Sequence, residues 1–285
     1  MNRTILTLSL IFVFLSPSLV QSQEKKWMPL NLAHRGLSFL APENTLIAFK
    51  MAAAVGADGT ECDVYLSKDG IPVLSHDRNV KRTMGVDADI TSKTFEEIRR
   101  LDAGVWKGKH FAGEVPPTLE EYLLVLKDSP CRPIVEIKQE GIEKEVIDVI
   151  RKTGMVEKTI IVCFVDKTLA TVRQIEPKLQ VGLIRGGGKF KGDPESYAEE
   201  LAQELMDRAS KIDTDVVSLQ HGLISEKLVK ILHDKGYYVW AWTINDVPRM
   251  HTLLDWGLDS VTSDRSDVLA EVIKERTTKK SIFSK

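Results

Sequence analysis

The chain has 285 residues, 43% of them hydrophobic and 28% charged, with 18 glycines and 11 prolines. This composition excludes collagen-like, coiled-coil and disordered classes and fits one large globular domain. With a net charge of −2 there is no basic field to hold nucleic acid, so any anionic partner must be met by local cations.

The N-terminus has the build of an export leader. Arg3 gives a positive start, and Ile5 to Leu15 is an apolar run broken only by Thr and Ser. Ser16-Pro17-Ser18 then interrupts it, ahead of a small-x-small cleavage pattern at Val20-Gln21-Ser22. The run is shorter than the about 20 residues a bilayer span needs. Residues 1–22 are therefore expected to be a signal peptide, with residues 23–285 exported to the periplasm or medium as a soluble domain without stable membrane insertion. Cys62, Cys131 and Cys163 lie in or beside apolar runs and are expected to be buried small hydrophobes, with a bridge between two of them left open.

Beyond the leader, short apolar runs alternate with amphipathic stretches. Strands are predicted at Leu30–Ala33, Gly59–Leu66, Ile134–Ile137, Ile160–Phe164, Val181–Ile184, Val216–Leu219, Tyr238–Trp242 and Ser260–Thr262. Helices are predicted around Thr45–Val55, Glu143–Arg151, Leu169–Ile175, Ser225–Lys235 and Val247–Trp256, with Gly56 and Gly236 past two of their ends. Eight strands alternating with helices predict a parallel sheet closed as a (β/α)8 TIM barrel. The alternative, a doubly wound sheet, wants a Gly-rich phosphate turn after its first strand, and none is there. About residues 77–118 exceed what one crossover needs. With a short helix at Thr94–Leu101 and Pro116-Pro117, they are expected to form a small inserted subdomain after the second strand. Residues after Arg276 are expected to fray.

In such a barrel chemistry sits at the C-terminal ends of the strands. His34-Arg35 closes the first strand, Glu61 and Asp63 lie on the second, His76 follows a short run at Ile71–Ser75, and Glu136 and Lys138 lie on the next strand. A spacing of two puts Glu61 and Asp63 on one side of their strand, and Glu136 and Lys138 likewise. Three carboxylates on one face, within apolar runs, repel one another and lose hydration. One divalent cation removes both penalties, and all-oxygen ligation selects a hard ion, Ca2+ or Mg2+. The competing reading, an exposed hairpin strand, is weakened by Val64, Leu66 and the matching Glu136/Lys138 pair. His34 and His76 suit general acid and base roles, since imidazole titrates near neutrality; their alternatives are a core histidine and an exposed turn residue. Arg35 and Lys138 supply fixed positive charge for a phosphodiester. Trp242 offers either an apolar wall for a substrate's carbon face or simple barrel packing. Gly186-Gly187-Gly188-Lys189 lacks P-loop spacing and is expected to be a loop at the mouth with at most an accessory role.

These residues resemble the glycerophosphodiester phosphodiesterase family. The likeness runs through Ala33-His34-Arg35-Gly36, Ala41-Pro42-Glu43-Asn44-Thr45, Gly56-Ala57-Asp58, Glu61-Cys62-Asp63-Val64, Ser67-Lys68-Asp69-Gly70 and Ser75-His76-Asp77. It continues in Pro117-Thr118-Leu119-Glu120, Glu136-Ile137-Lys138, Trp242-Thr243-Ile244-Asn245 and Thr262-Ser263-Asp264-Arg265. The resemblance implies Glu61, Asp63 and Glu136 as ligands of Ca2+ or Mg2+, His34 and His76 as the acid–base pair, and Arg35 and Lys138 on the phosphate. It implies a mouth-shaping role for Glu43 and Asn44, with Glu43 orienting His34 or Arg35. The activity implied is hydrolysis of small glycerophosphodiesters to an alcohol and sn-glycerol 3-phosphate. Two alternatives accompany it: phospholipase D-like cleavage of lysophospholipid or sphingomyelin headgroups, and a non-catalytic binding barrel. Ser67 and Ser266 depart from the family's usual Thr and Pro without removing a group the chemistry needs. Residues 152–215 carry little of the resemblance.

Overall fold

A computed structural model describes residues 28–282; the leader expected over residues 1–22 lies outside them. The strands are β1 (Leu30–Ala33), β2 (Gly59–Leu66), β3 (Pro72–Leu74), β4 (Arg132–Ile137), β5 (Ile160–Cys163), β6 (Gln180–Arg185), β7 (Val216–Gln220), β8 (Tyr238–Trp242) and β9 (Ser260–Ser263). All but β3 are parallel, in the order β1-β9-β8-β7-β6-β5-β4-β2, and pairing of β1 with β2 closes the ring. The fold is thus the expected (β/α)8 barrel. β3 pairs antiparallel with β2 and forms a hairpin outside the ring.

Around the ring run α1 (Leu46–Ala54), α4 (Leu119–Leu126), α5 (Glu143–Thr153), α6 (Asp166–Ile175), α7 (Ala198–Ile212), α8 (Glu226–Asp234), α9 (Val247–Asp255) and α10 (Ser266–Ile282). Their starts follow local chemistry: the Thr118 hydroxyl accepts from Glu121 N while the Glu121 carboxylate accepts from Thr118 N, and Ser225 and Asp246 cap α8 and α9. Between β3 and α4 the chain carries two short helices, α2 (Lys81–Met84) and α3 (Phe95–Arg99), and two 3-10 turns at Ile90–Ser92 and Lys109–Phe111. Val80, Ile90 and Ile98 of this segment form a buried group with Tyr65 of β2 and Val73 of β3.

Helices α2, α4, α7 and α10 went beyond the sequence reading. α7 buries Ala198, Leu201, Ala202, Leu205, Ala209 and Ile212, a face half built of alanine and so faint in apolar contrast. α10 continues to Ile282 where fraying was expected from Thr277; no Gly or Pro interrupts residues 266–282. The predicted fourth strand is one residue shorter than expected, with Phe164 beyond its end.

Period-two alternation sorts each strand's side chains between the helix layer and the barrel axis. Outward residues such as Val135, Ile161, Val217 and Val239 join the main core against the helices. Inward, Leu32, Ile134, Ile160, Val162, Ile184 and Trp240 form a separate apolar plug. The same inward columns, continued toward the strands' C-terminal ends, reach His34, Glu61, Asp63, Glu136, Lys138 and Trp242. The plug is the floor on which the site stands. Cys62, Cys131 and Cys163 are all free and buried.

Candidate active site

A cavity of about 310 Å³ opens above the plug. His34, Arg35, Glu61, His76, Glu136 and Lys138 line one side, and Val162, Phe164, Ile184, Trp240 and Trp242 the other. Of the eight residues singled out from sequence, seven line this cavity. Asp63 sits just behind, 1% exposed. One carboxylate oxygen from each of Glu61, Asp63 and Glu136 lies within 4.8 Å of the others.

The turn after β1 places the first two groups. Arg35 and Gly36 both take positive φ, 55° and 84°, which folds the chain back at the strand end. A Cβ on Gly36 would lie 2.6 Å from the Ala48 Cβ, so only glycine lets the turn pack on α1. The Arg35 amide donates to Glu61 Oε2 at 2.9 Å. Its guanidinium donates to Glu43 Oε1 at 2.9 Å, with Nε 3.5 Å from Asp63 Oδ2. Asn44, also at positive φ, grips Asp63 twice: Nδ2 donates to Asp63 Oδ2 at 2.9 Å, and Oδ1 accepts from Asp63 N at 3.1 Å. Glu43 therefore orients Arg35, and not His34, and it also receives Arg82.

Electrostatically the carboxylates are unbalanced without a cation. Glu61 is held well above its ordinary value, by burial first and then by Asp63 and Glu136. Burial and Asp63 push Glu136 to about 7, against the pull of Lys138. Glu61 Oε1 is buried with no hydrogen-bond partner. Lys138 Nζ lies 2.9 Å from Glu136 and 3.4 Å from Asp63; despite burial, these two carboxylates raise its pKa. Arg35 and Lys138 against the ionised carboxylates of Glu61, Asp63 and Glu136 would leave an excess of one negative charge, beside one orphaned oxygen. An all-oxygen donor set of this kind fits a hard divalent ion.

Each histidine is anchored through Nδ1. His34 Nδ1 lies 2.7 Å from Asp264 Oδ1, and His76 Nδ1 lies 2.7 Å from Asp77 Oδ1. An ionised carboxylate only accepts, so Nδ1 carries the proton in both rings and Nε2 is left for substrate. Burial leads the causes that lower His76 below its ordinary value. Asp264 is the residue that sequence reasoning left without a role. It also accepts from Ser38 Oγ at 2.9 Å and Asn245 Nδ2 at 2.6 Å. Against burial, the His34, Asn245 and Ser38 interactions bring its carboxyl down to about 2. It lies 230 residues from His34, so only the closing of the barrel by β9 against β1 brings them together. The sequence signal that could have found it was the Thr262-Ser263-Asp264-Arg265 stretch at the end of β9.

A test of this anchoring follows. Asp264→Ala is expected to lower kcat by about 10–100-fold with little change in KM, in the range typical of groups that orient a reactive ligand. The split of kcat against KM separates lost orientation of the imidazole from lost substrate binding. Asp264→Asn, which keeps the shape and an acceptor oxygen, should recover part of the lost kcat. An unchanged kcat in both variants would reduce Asp264 to packing.

Trp242 donates Nε1 to Ser218 O at 3.2 Å and meets Phe164 edge-on, ring centroids 5.7 Å apart. It thus serves both readings, packing and wall. The Gly186–Gly188 turn follows β6, and Gly187 N donates to Gln220. Lys189 turns away to Glu200 and Glu204 and contributes nothing to the cavity. A larger cavity, about 580 Å³, lies at the strands' N-terminal ends. Its arginines, Arg132 and Arg173, are spent on Gln180, Asp213 and backbone carbonyls.

The fold and site define a (β/α)8 barrel with an acidic, doubly histidine-flanked mouth. The sequence profile of the glycerophosphoryl diester phosphodiesterase family matches residues 34–268, and the chain belongs to that family. A glycerophosphodiester phosphodiesterase of Caldanaerobacter subterraneus subsp. tengcongensis is 32% identical over 249 residues, 86% of this chain and 97% of its own. The structure of an Oleispira antarctica phosphodiesterase in complex with the product sn-glycerol-3-phosphate matches with a TM-score of 0.76 at 29% identity, covering 87% of this chain and 97% of that one. The glycerophosphodiester phosphodiesterase of Thermotoga maritima matches at 0.64 and 25% identity, covering 85% and 96%.

Proposed function

We propose that the chain hydrolyses glycerophosphodiesters to an alcohol and sn-glycerol 3-phosphate, with one Ca2+ or Mg2+ held by Glu61, Asp63 and Glu136 and with His34 and His76 as the acid–base pair. The observation that carries this reading is the carboxylate triad, its orphaned Glu61 oxygen and the two Nδ1-anchored imidazoles around one cavity. Family membership supports the same substrate class.

A hard cation held by Glu61, Asp63 and Glu136 would supply polarisation of a phosphoryl oxygen and offset the carboxylate charge. Arg35 and Lys138, both fixed by ion pairs, hold the phosphodiester and the charge that grows on it as it is attacked. One imidazole Nε2 takes the proton from the attacking hydroxyl, of water or of the substrate's own glycerol. The other gives a proton to the departing alkoxide. Val162, Ile184 and Trp242 form the wall for the substrate's carbon skeleton and keep water from that side. Export, with residues 1–22 as a cleaved leader and residues 23–285 as the working barrel, belongs to the same reading. Its basis is the leader pattern of the sequence.

Phosphorus NMR of glycerophosphocholine turnover tests the reaction. Glycerol phosphate and choline are the expected products, with any cyclic phosphate marking attack by the glycerol hydroxyl. Phosphocholine and glycerol would mean cleavage of the wrong ester bond.

A further inference from the structure

Four large apolar side chains stand exposed together beside the mouth. Phe39 and Leu40 follow β1, and Val105 and Trp106 lie in the segment between α3 and α4; their exposures run from 38% to 53%. The two loops are bolted to each other. Lys107 Nζ donates to Ser38 O at 2.7 Å, and its ammonium lies 6.0 Å from the Phe39 ring and 5.6 Å from the Trp106 ring. Arg265 covers the Phe39 ring at 4.3 Å, and Arg82 the Trp106 ring at 5.8 Å.

This platform is built rather than loose. Asp102 accepts from the amides of Gly104, Val105 and Gly113 at 2.8–2.9 Å and so ties off the loop. A Cβ on Gly104 would sit 2.0 Å from Phe111 O, so the turn closes only with glycine. Trp106 Nε1 is already satisfied by Ala103 O at 2.9 Å, which holds the ring outward. The platform also touches the chemistry, because Ser38 Oγ and His34 Nδ1 bond the same oxygen of Asp264.

The charge pattern says what fits. Residues 105–111, Val-Trp-Lys-Gly-Lys-His-Phe, contain no acid, nor do residues 38–41. Neither Lys107 nor Lys109 forms an ion pair among the described residues, whereas Arg82 and Arg265 are neutralised by Glu43, Asp77 and Asp267. Aromatic rings flanked by unneutralised lysines, in a chain whose net charge is −2, suit the boundary between acyl chains and phosphate headgroups. A second copy of the chain, docked by a two-fold axis, would set these lysines against their own images.

We propose that the Phe39/Leu40 and Val105/Trp106 platform docks the mouth onto a phospholipid surface, so that the site meets glycerophosphodiester linkages presented by lipids there. The substrate half of this statement rests on the catalytic reading above; the docking half does not.

The test is flotation of the full chain with phosphatidylcholine vesicles and with mixed phosphatidylcholine–phosphatidylglycerol vesicles. The Phe39→Ser/Trp106→Ser variant carries the same N-terminal residues, so any contribution from these cancels in the comparison. The bound fraction is expected to fall about tenfold or more in that variant. Lys109→Gln should weaken binding about two- to fivefold on the mixed vesicles and leave phosphatidylcholine binding nearly unchanged. Hydrolysis of soluble glycerophosphocholine, unchanged in both variants, reports that they fold. Its absence from the wild type would count against the catalytic reading alone, with the vesicle result still deciding docking. Equal binding by wild type and the double variant, or none by either, overturns the proposal. So does a dimer in sedimentation equilibrium that the double variant dissolves without any vesicle binding by the wild type.

Discussion

Replacing His34 with alanine is expected to cut turnover of a glycerophosphodiester by about 10²–10⁴-fold, and His76→Ala by a similar factor, the range that a positioned general acid or base supplies. Both rings present Nε2 because Asp264 and Asp77 hold Nδ1, and both line the same cavity as Glu61 and Glu136. Their settings differ. Asp264 takes its other bonds from the neutral groups of Ser38 and Asn245, whereas Asp77 shares its charge with Arg82 at 2.6 Å. The two rings are thus held by differently charged neighbours, and burial leads the causes that lower His76 below its ordinary value. Groups that act on one transition state are not additive, so the double variant should fall little below the weaker single one. Steady-state rates of glycerol phosphate release check this. A variant that keeps more than about a tenth of wild-type kcat has lost no acid or base.

The second large effect is on stability without metal. Burial and neighbouring carboxylates hold Glu61 well above its ordinary value and bring Glu136 from 4.5 to about 7. Between those pH values the folded protein keeps a proton that the unfolded chain has lost. Stability is therefore fully present below about pH 4.5 and declines as pH rises through about 7. For Glu136 alone the full span is worth roughly 3 kcal/mol, or about 5–10 °C in Tm for a domain of this size. In EDTA, melting temperature should fall from pH 5 to pH 7.5. Adding Ca2+ or Mg2+ should restore it at pH 7.5 and do little at pH 5, since protons and metal compete for the same oxygens. Glu136→Gln should flatten both dependences. A metal-free melting temperature that rises over this range, or ignores both cations, would mean that these carboxylates are not a cation site.

Much of the architecture was legible because the barrel's inner columns follow period two, which a sequence displays directly. Glu61/Asp63 and Glu136/Lys138 stand out as charged pairs inside apolar runs, and the register that sets Asp63 opposite Glu136 is the one a parallel pairing of those runs gives. What sequence hides is contact across the closure of the ring. Asp264 reaches His34 only because β9 lies beside β1, and the Thr262-Ser263-Asp264-Arg265 stretch that marks it does not say which group it serves. Glu43 was placed near the right group, but its choice of Arg35 depends on the positive-φ turn at Arg35-Gly36. α7 escaped notice because alanine makes up half its buried face. The aromatic platform was silent for the opposite reason: Phe39 and Trp106 look like core residues until the fold leaves them outside.

The most direct test of the account is release of sn-glycerol 3-phosphate from glycerophosphocholine by the purified chain in Ca2+, in Mg2+ and in EDTA, beside Glu61→Ala. Release that depends on one of the two cations, stops in EDTA, returns when the cation is restored and is absent from Glu61→Ala is the predicted result. Release that persists undiminished in EDTA, or in Glu61→Ala, would contradict it.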